Sequence, residues 1–507
     1  MKISLKTTTK AYRRSAQNAH EIRLSPAQRL IPELLQDIFL LYSDEIYAAN
    51  KGPPRISRRE APLNISQTCG AWRRIVLITP RLWASLDIPI HWHSADILKE
   101  WMRRSGSQPL SLAWRHHLQA HHPRKKYDCP MAGELISHSY RWKEVRLTVP
   151  RVCFDVIMTP LQFKDTGVPM LKKLTIISSR DYYTELRLDA APALKTLSLC
   201  IEQMPLILGD SVLKSLHELR VQPSRRSRNL INANFFDVLT SCPILKVLSV
   251  VIGTMPTHGQ EVLDVTIEHL TATAGGTPSG LSLGPFLDRI RTPNLRSMSL
   301  NGDQSMLLSS SITNWPHLES FIARSRPPML YLSLSLIPLT EAELLDCLRS
   351  LPELRILHLV SVRVTDEFLN SLSGSRSLHS PDHRDLANGG TAPLLCTSLK
   401  TISVRAGRFS EPAAASMVVH RWSLGNKQLR NVEMVSCGFR SKRRHAIEKC
   451  VNEGLRYRID PCDPRVAADE IAVVTPSYMV RSEGSKLPQR IQMPALLRTN
   501  RNRDTSI

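Results

Sequence analysis

One short motif governs what this chain can fold into. Pro-x-Leu-x-x-Leu-x-Leu, or a close variant, recurs through most of its 507 residues. It reads Pro169-Met-Leu-Lys-Lys-Leu-Thr-Ile176, Pro192-Ala-Leu-Lys-Thr-Leu-Ser-Leu199, Pro243-Ile-Leu-Lys-Val-Leu-Ser-Val250, Pro293-Asn-Leu-Arg-Ser-Met-Ser-Leu300 and Pro352-Glu-Leu-Arg-Ile-Leu-His-Leu359. Shorter copies are Leu216–Val221, Pro316–Phe321, Leu399–Val404 and Leu429–Met434, with Trp142–Leu147 as a first copy. On a helix, positions i, i+3 and i+5 point in separate directions. On a strand, i+3 and i+5 share a side. The motif therefore predicts a short strand on its last two apolar residues, with the first Leu tucked into the preceding turn.

Several copies lie about 22–29 residues apart, a period typical of stacked repeats. The gap between Leu245 and Leu295 leaves room for a degenerate copy near residue 270. Helical patterns fall between strands, most clearly at 341–351 and 234–241. Strand, turn, helix, turn gives a solenoid with a parallel sheet, and burial of the Leu face holds it together. Strand alternation then turns Lys173, Thr175, Thr196, Ser198, Glu218, Arg220, Val247, Ser249, Ser297, Ser299, Ser320, Ile322, Ile356, His358, Thr401, Ser403, Asn431 and Glu433 outward. Among these, Lys173, Thr175, Thr196, Ser198, Glu218, Arg220, Ser249, Ser299, His358 and Ser403 are the candidate target-binding residues. The Ser/His/Gly-rich segment 374–393 reads as an inserted surface loop.

The N-terminal block has a different period. In Ile31-Pro-Glu-Leu-Leu-Gln-Asp-Ile-Phe39, Pro32 suits a first helical turn, and Glu33 sits well at the positive end of the helix dipole. Leu34, Leu35, Ile38 and Phe39 form one apolar face. The helix is predicted to run to about Tyr42, followed by a loop through 50–55. A second helix is predicted over Leu63–Val76, with Ile65, Cys69, Trp72 and Val76 on one face, and Pro80 after it. A bundle this small cannot bury all its apolar residues, so part of the face is expected to meet a partner.

Three elements in order carry a resemblance: Ile31-Pro-Glu-Leu-Leu, Cys69-Gly-Ala-Trp-Arg-Arg-Ile75 and Thr79-Pro-Arg-Leu-Trp83. Over residues 28–90 the chain resembles the F-box in its fungal form, and over 141–458 the leucine-rich repeat family. It departs from the regular repeat by lacking the recurring Asn after the third Leu. The resemblance implies an α+β or α/β chain: a small helical F-box bundle, then an irregular leucine-rich repeat solenoid of parallel strands with helices. It further implies docking on the Skp-type adaptor of a cullin-RING (SCF) ubiquitin ligase. The adaptor-binding residues would be Ile31, Pro32, Glu33, Leu34, Leu35, Ile38, Phe39, Cys69, Trp72, Arg73 and Ile75. An unknown substrate protein would sit on the repeats, in cytoplasm or nucleus. An F-box and repeat scaffold outside a ligase is the alternative.

The expected organisation is a disordered basic leader (1–23), the F-box (24–90), a linker region (91–140), the solenoid (141–460) and a mostly disordered tail (461–507), in which 471–474 could add a strand. The leader's composition overlaps that of a mitochondrial presequence, but its apolar positions are too sparse for an amphipathic face. The chain has no run near the ~20 apolar residues of a membrane span and no apolar signal core, so a soluble intracellular protein without a membrane partner is expected. Ten scattered cysteines without a CxxC pair predict reduced thiols and no metal. The His pairs within 116–122 read as a polar loop. The net charge of +22 raises nucleic acid as a partner, but its short clusters lack interleaved aromatic residues, which speaks against it. No phosphate-binding loop, nucleophile elbow or HExxH occurs, so no catalytic residue, cofactor or enzymatic activity is expected.

Overall fold

Leucines three and five positions beyond a turn leucine do form strands. In the computed structural model, the described residues are 29–50, 52–88, 95–115, 130–148, 151–162, 167–177, 186–201, 206–223, 235–253, 261–275, 283–303, 314–374, 394–424, 427–435, 437 and 447–460. All of them fall in one unit, 1–461.

The strands are β1 (Ser85–Ile88), β2 (Leu110–Arg115), β3 (Trp142–Thr148), β4 (Lys173–Ile177), β5 (Leu186–Leu188), β6 (Thr196–Ile201), β7 (Leu206–Leu208), β8 (Glu218–Pro223) and β9 (Val247–Ile252). They continue as β10 (Leu263–Asp264), β11 (His269–Ala274), β12 (Ile290–Arg291), β13 (Ser297–Asn301), β14 (Tyr331–Ser335), β15 (Ile356–Val360), β16 (Thr401–Arg405), β17 (Asn431–Val435) and β18 (Arg456–Asp460). The helices are α1 (Pro32–Asn50), α2 (Leu63–Ser66), α3 (Gly70–Leu77), α4 (Ala95–Ser105), α5 (Pro130–Ser137), α6 (Arg151–Gln162) and α7 (Asp210–Ser215). After them come α8 (Phe235–Thr240), α9 (Leu283–Asp288), α10 (His317–Ser325), α11 (Glu341–Arg349), α12 (Asp366–Ser373), α13 (Glu411–Leu424) and α14 (Glu448–Asn452).

Fourteen strands make one parallel sheet in chain order; β5 pairs β7 and β10 pairs β12 in two small side sheets. The fold is mixed α/β with a large parallel sheet, compatible with an α/β solenoid. Register explains why it holds. One apolar ladder includes Leu86, Leu112, Val145, Leu174, Leu197, Leu219, Leu248, Leu270, Met298, Leu332, Leu357, Ile402 and Val432 on successive strands. All are buried, and they form one continuous cluster with helix residues such as Leu318, Leu344, Phe368 and Val418. Before each strand, a turn residue such as Leu171, Leu194, Leu245, Leu354 or Leu399 is also buried. A strand whose alternate residues all enter one core cannot slip register without exposing them.

Several expectations change. The copy expected at 316–321 is helix α10, because Leu318, Phe321 and Ile322 keep a helical period and bury that way. Ser320 and Ile322 are therefore not outward strand positions. The strand of that repeat is β14, which follows Met329 in place of the turn Leu. The degenerate copy near 270 is β11, with Ile267 in the turn. Trp142–Leu147 is a strand but not the first: β1 and β2 precede it, so the sheet begins inside the expected F-box and runs through the expected linker. The first helix continues to Asn50, into the expected loop. The second is broken between Ser66 and Gly70, where the Cys69 sulfur caps α3 by accepting from the Trp72 N–H at 3.5 Å. The leader, the His-rich loop, segment 375–393 and the tail with 471–474 lie outside the described residues.

Candidate docking and recognition surfaces

Helix α1 has two apolar faces and buries one. Leu35 and Phe39, four residues apart, are buried, and the Phe39 ring meets Trp72 with centroids 4.9 Å apart. On the other side Leu34, Ile38 and Leu41 follow at i, i+4 and i+7. Their exposures are 49%, 47% and 68%. Leu30, Ile31 and Tyr42 extend the stripe, all exposed. Exposed large apolar residues in helical register are unusual on a surface that meets only water.

The helix is held firmly. The Tyr47 hydroxyl donates to Glu144 Oε2 on β3 at 2.6 Å, and burial with the Glu144 carboxylate raises the Tyr47 pKa. The Trp83 indole donates to the Val76 carbonyl at 2.9 Å. The loop after α1 docks on β1, where the Asp87 N–H donates to the Pro54 carbonyl at 2.8 Å. Burial raises the Asp87 pKa against the pull of its ion-pair partner Arg115.

Of the adaptor-binding candidates, Ile31, Pro32, Glu33, Leu34, Ile38 and Arg73 are exposed, and Cys69 and Trp72 half-buried. Leu35, Phe39 and Ile75 are buried in the core, so they support the helix and do not offer a surface. The sequence pattern placed both kinds on one face because adjacent apolar residues cannot be separated until the packing partner is known.

The second surface is the outward side of the sheet. Lys173 is exposed there, and Thr175, Thr196, Ser198, Glu218, Arg220, Ser249 and His358 are half-buried. Ser299 and Ser403 are buried, as is Ser297, which corrects their expected accessibility: their side chains are short and sit low among larger neighbours. Ser403 also spends its hydroxyl on Glu433 Oε2 at 3.0 Å. Sequence reasoning missed His269, Thr271, Tyr331 and Ser333 because their strands follow Ile267 and Met329 instead of Leu.

Polar residues bond across strands. Thr196 donates to Glu218, which pairs with Arg220. Glu433 meets Arg405 at 3.6 Å and Arg458 at 3.4 Å. His358 stands edge-on to Tyr331, with ring centroids 5.3 Å apart. Burial holds the His358 imidazole below its ordinary 6.5, against an upward pull from Glu433 and with a downward push from Arg405. Burial also lowers His269.

The unfolded chain takes up these protons near pH 6.5, the folded chain only lower down. Stability is therefore full above about pH 6.5 and falls as pH drops toward the folded values. Melting temperature is expected to decline from about pH 6.5 to 5.5, and His358→Gln to flatten that decline. A melting temperature independent of pH in this window contradicts the assignment.

Burial pushes the Cys347 thiol up to about 12 and Cys242 and Cys396 up to about 11, so these are unreactive core thiols. Among the described residues no group of three or more His, Cys, Asp or Glu is placed to hold a metal, and no helix is long and apolar enough to cross a membrane. No protein-family model matches the chain, and no curated protein matches it.

Proposed function

We propose that the chain is the substrate-receptor subunit of an SCF-type cullin-RING ubiquitin ligase, an adaptor in ubiquitin-dependent protein degradation and not itself an enzyme. In this reading the span 24–90 is an F-box and the sheet with its helices is a leucine-rich repeat array. The observation that carries the reading is the exposed stripe Leu34, Ile38 and Leu41 on a helix whose opposite face is locked into the core. The stripe belongs to the same helix that opens the F-box-like order of motifs. It would bury against a Skp-type adaptor, while the outward sheet positions receive a target protein.

No ligand chemistry is required of the chain, since the assembled ligase transfers the ubiquitin. The test is purification of the tagged chain from its host in cytoplasmic and nuclear fractions. The reading expects the adaptor and a cullin to come with it. Recovery of the adaptor without a cullin favours a scaffold acting outside a ligase, and recovery of neither contradicts the F-box reading.

A further inference from the structure

At the start of most strands of the large sheet one position carries a cation with unusual regularity. It follows the buried turn residue and stands at the N-terminal edge of the sheet, where all the strands of the parallel sheet begin. From β3 onward it is Lys143, Lys172, Lys195, His217 and Lys246. Then come Glu268, Arg296 and Leu330, followed by Arg355, Lys400 and Arg430 before β15, β16 and β17, and the buried Leu455 before β18. Lys and Arg make up 67 of the 507 residues. Composition alone would place about one or two of them in these twelve positions, and eight are found, so the enrichment belongs to the position.

These residues are stacked by the backbone. The Lys172 N–H donates to the Lys143 carbonyl at 2.8 Å and the Lys195 N–H to Lys172 at 2.9 Å. At the other end, Lys400 N–H donates to Arg355 at 2.8 Å and Arg430 to Lys400 at 2.7 Å. Within the runs Lys143–Lys172–Lys195 and Arg355–Lys400–Arg430, successive cations thus stand one strand apart, roughly 4.8 Å along the ladder, and His217, Glu268 and Leu330 separate the others. Lys172, Lys195, Arg296, Arg355 and Arg430 are exposed. Among the described residues only Lys246 of the eight has an ion-pair partner, Glu268 at 2.9 Å. Like charges held this close repel one another, and core packing does not need them.

We infer that this edge is a docking rail for an extended acidic segment, a run of Asp and Glu side chains, in the target protein. The inference rests on the target-recognition reading of the sheet, not on adaptor docking. Charge complementarity selects an anion. The cations stand in single file, so none forms the three-sided pocket that a dianionic phosphate group favours. Glu144, Glu218, Glu268 and Glu433 interrupt the positive field along or beside the file. In the two outward rows of β3–β17 that flank it, Tyr331 is the one Phe, Tyr or Trp ring among the described residues, and it is buried. A nucleic-acid groove calls for an unbroken basic track with exposed stacking rings. Carboxylates spaced along a flexible peptide can take up such a discontinuous row.

The test uses the full-length chain and fluorescence anisotropy with two labelled probes, an oligoglutamate peptide and an oligothymidylate of equal charge. One variant carries Lys172→Glu, Lys195→Glu, Arg355→Glu and Arg430→Glu. A control reverses four exposed cations elsewhere, Lys214, Arg363, Arg408 and Lys449. The wild type is expected to bind the peptide more tightly than the oligonucleotide, with affinity falling as salt rises. The edge variant is expected to lose about tenfold or more and the control less than about twofold. Circular dichroism and adaptor capture, unchanged in both variants, show that the fold and the docking helix are intact. Equal losses in both variants, no peptide binding by the wild type, or tighter edge-dependent binding of the oligonucleotide each overturns the inference. Failed adaptor capture with intact peptide binding removes the F-box reading alone.

Discussion

Replacing Arg421 with Met is expected to lower stability by about 3 kcal/mol, with the loss concentrated in the C-terminal strands. Arg421 lies in the last turn of α13 and is only 3% exposed. Its Nη1 donates to the Leu372 carbonyl at 2.6 Å and to Leu395 at 2.9 Å, and its Nη2 to Cys396 at 2.8 Å. Leu372 lies just before the segment 375–393 and Leu395–Cys396 just after it. One guanidinium therefore fastens both ends of the insertion.

Burial lowers the Arg421 pKa, the mark of a cation held out of water without a carboxylate to compensate. Its neighbours extend the clasp: His420 Nδ1 is 2.6 Å from the Ser373 carbonyl, and the Trp422 indole donates to Glu453 at 2.9 Å. A methionine fills much of the volume and donates nothing, so the carbonyls lose their charged donors. Stability in a stacked array is set by each unit and its neighbours. Amide exchange should thus accelerate on β16–β18 and little on β4–β8. Unchanged exchange at β16–β18 contradicts the clasp.

Ile38→Asp is expected to abolish adaptor binding, by about a hundredfold or more, while leaving thermal stability within about 0.5 kcal/mol of the wild type. The side chain is 47% exposed, so in the free chain the new carboxylate stays in water. In the complex the same carboxylate would be buried without a partner. Phe39→Ala provides the contrast one residue on. Phe39 is buried against Trp72, and its truncation should cost about 3–4 kcal/mol of stability. An Ile38→Asp chain that binds as tightly as the wild type means the stripe is not the docking surface.

The parallel sheet was legible from Leu spacing because two alternating positions and a turn residue bury at most copies. Legibility failed where chemistry was conserved in shape but not in name. Met329 and Ile267 fill the turn position as Leu does, and β14 and β11 followed them unseen or half-seen. Pro316–Phe321 misled because Leu318 and Phe321 fit both periods until Ile322 decides for the helix. β1 and β2 were missed because the motif before them is incomplete, and Trp114 stands in the second apolar row, between Ile88 and Leu147, where a Leu is usual. On α1 the apolar residues were readable but their division into core and surface was not, since that depends on Trp72 and Ile75 arriving from a distant helix. The basic file is hidden in the sequence for a related reason: its cations are about 23–59 residues apart and are brought together only through the ladder.

On the proposed reading, the exposed stripe of α1 docks on a Skp-type adaptor. Calorimetric titration of the purified adaptor into the wild-type chain, at several temperatures, tests it most directly. A one-to-one complex with a negative heat-capacity change is expected, the mark of apolar surface leaving water. A folded chain that takes up no adaptor, or binds it without that heat-capacity change, contradicts it.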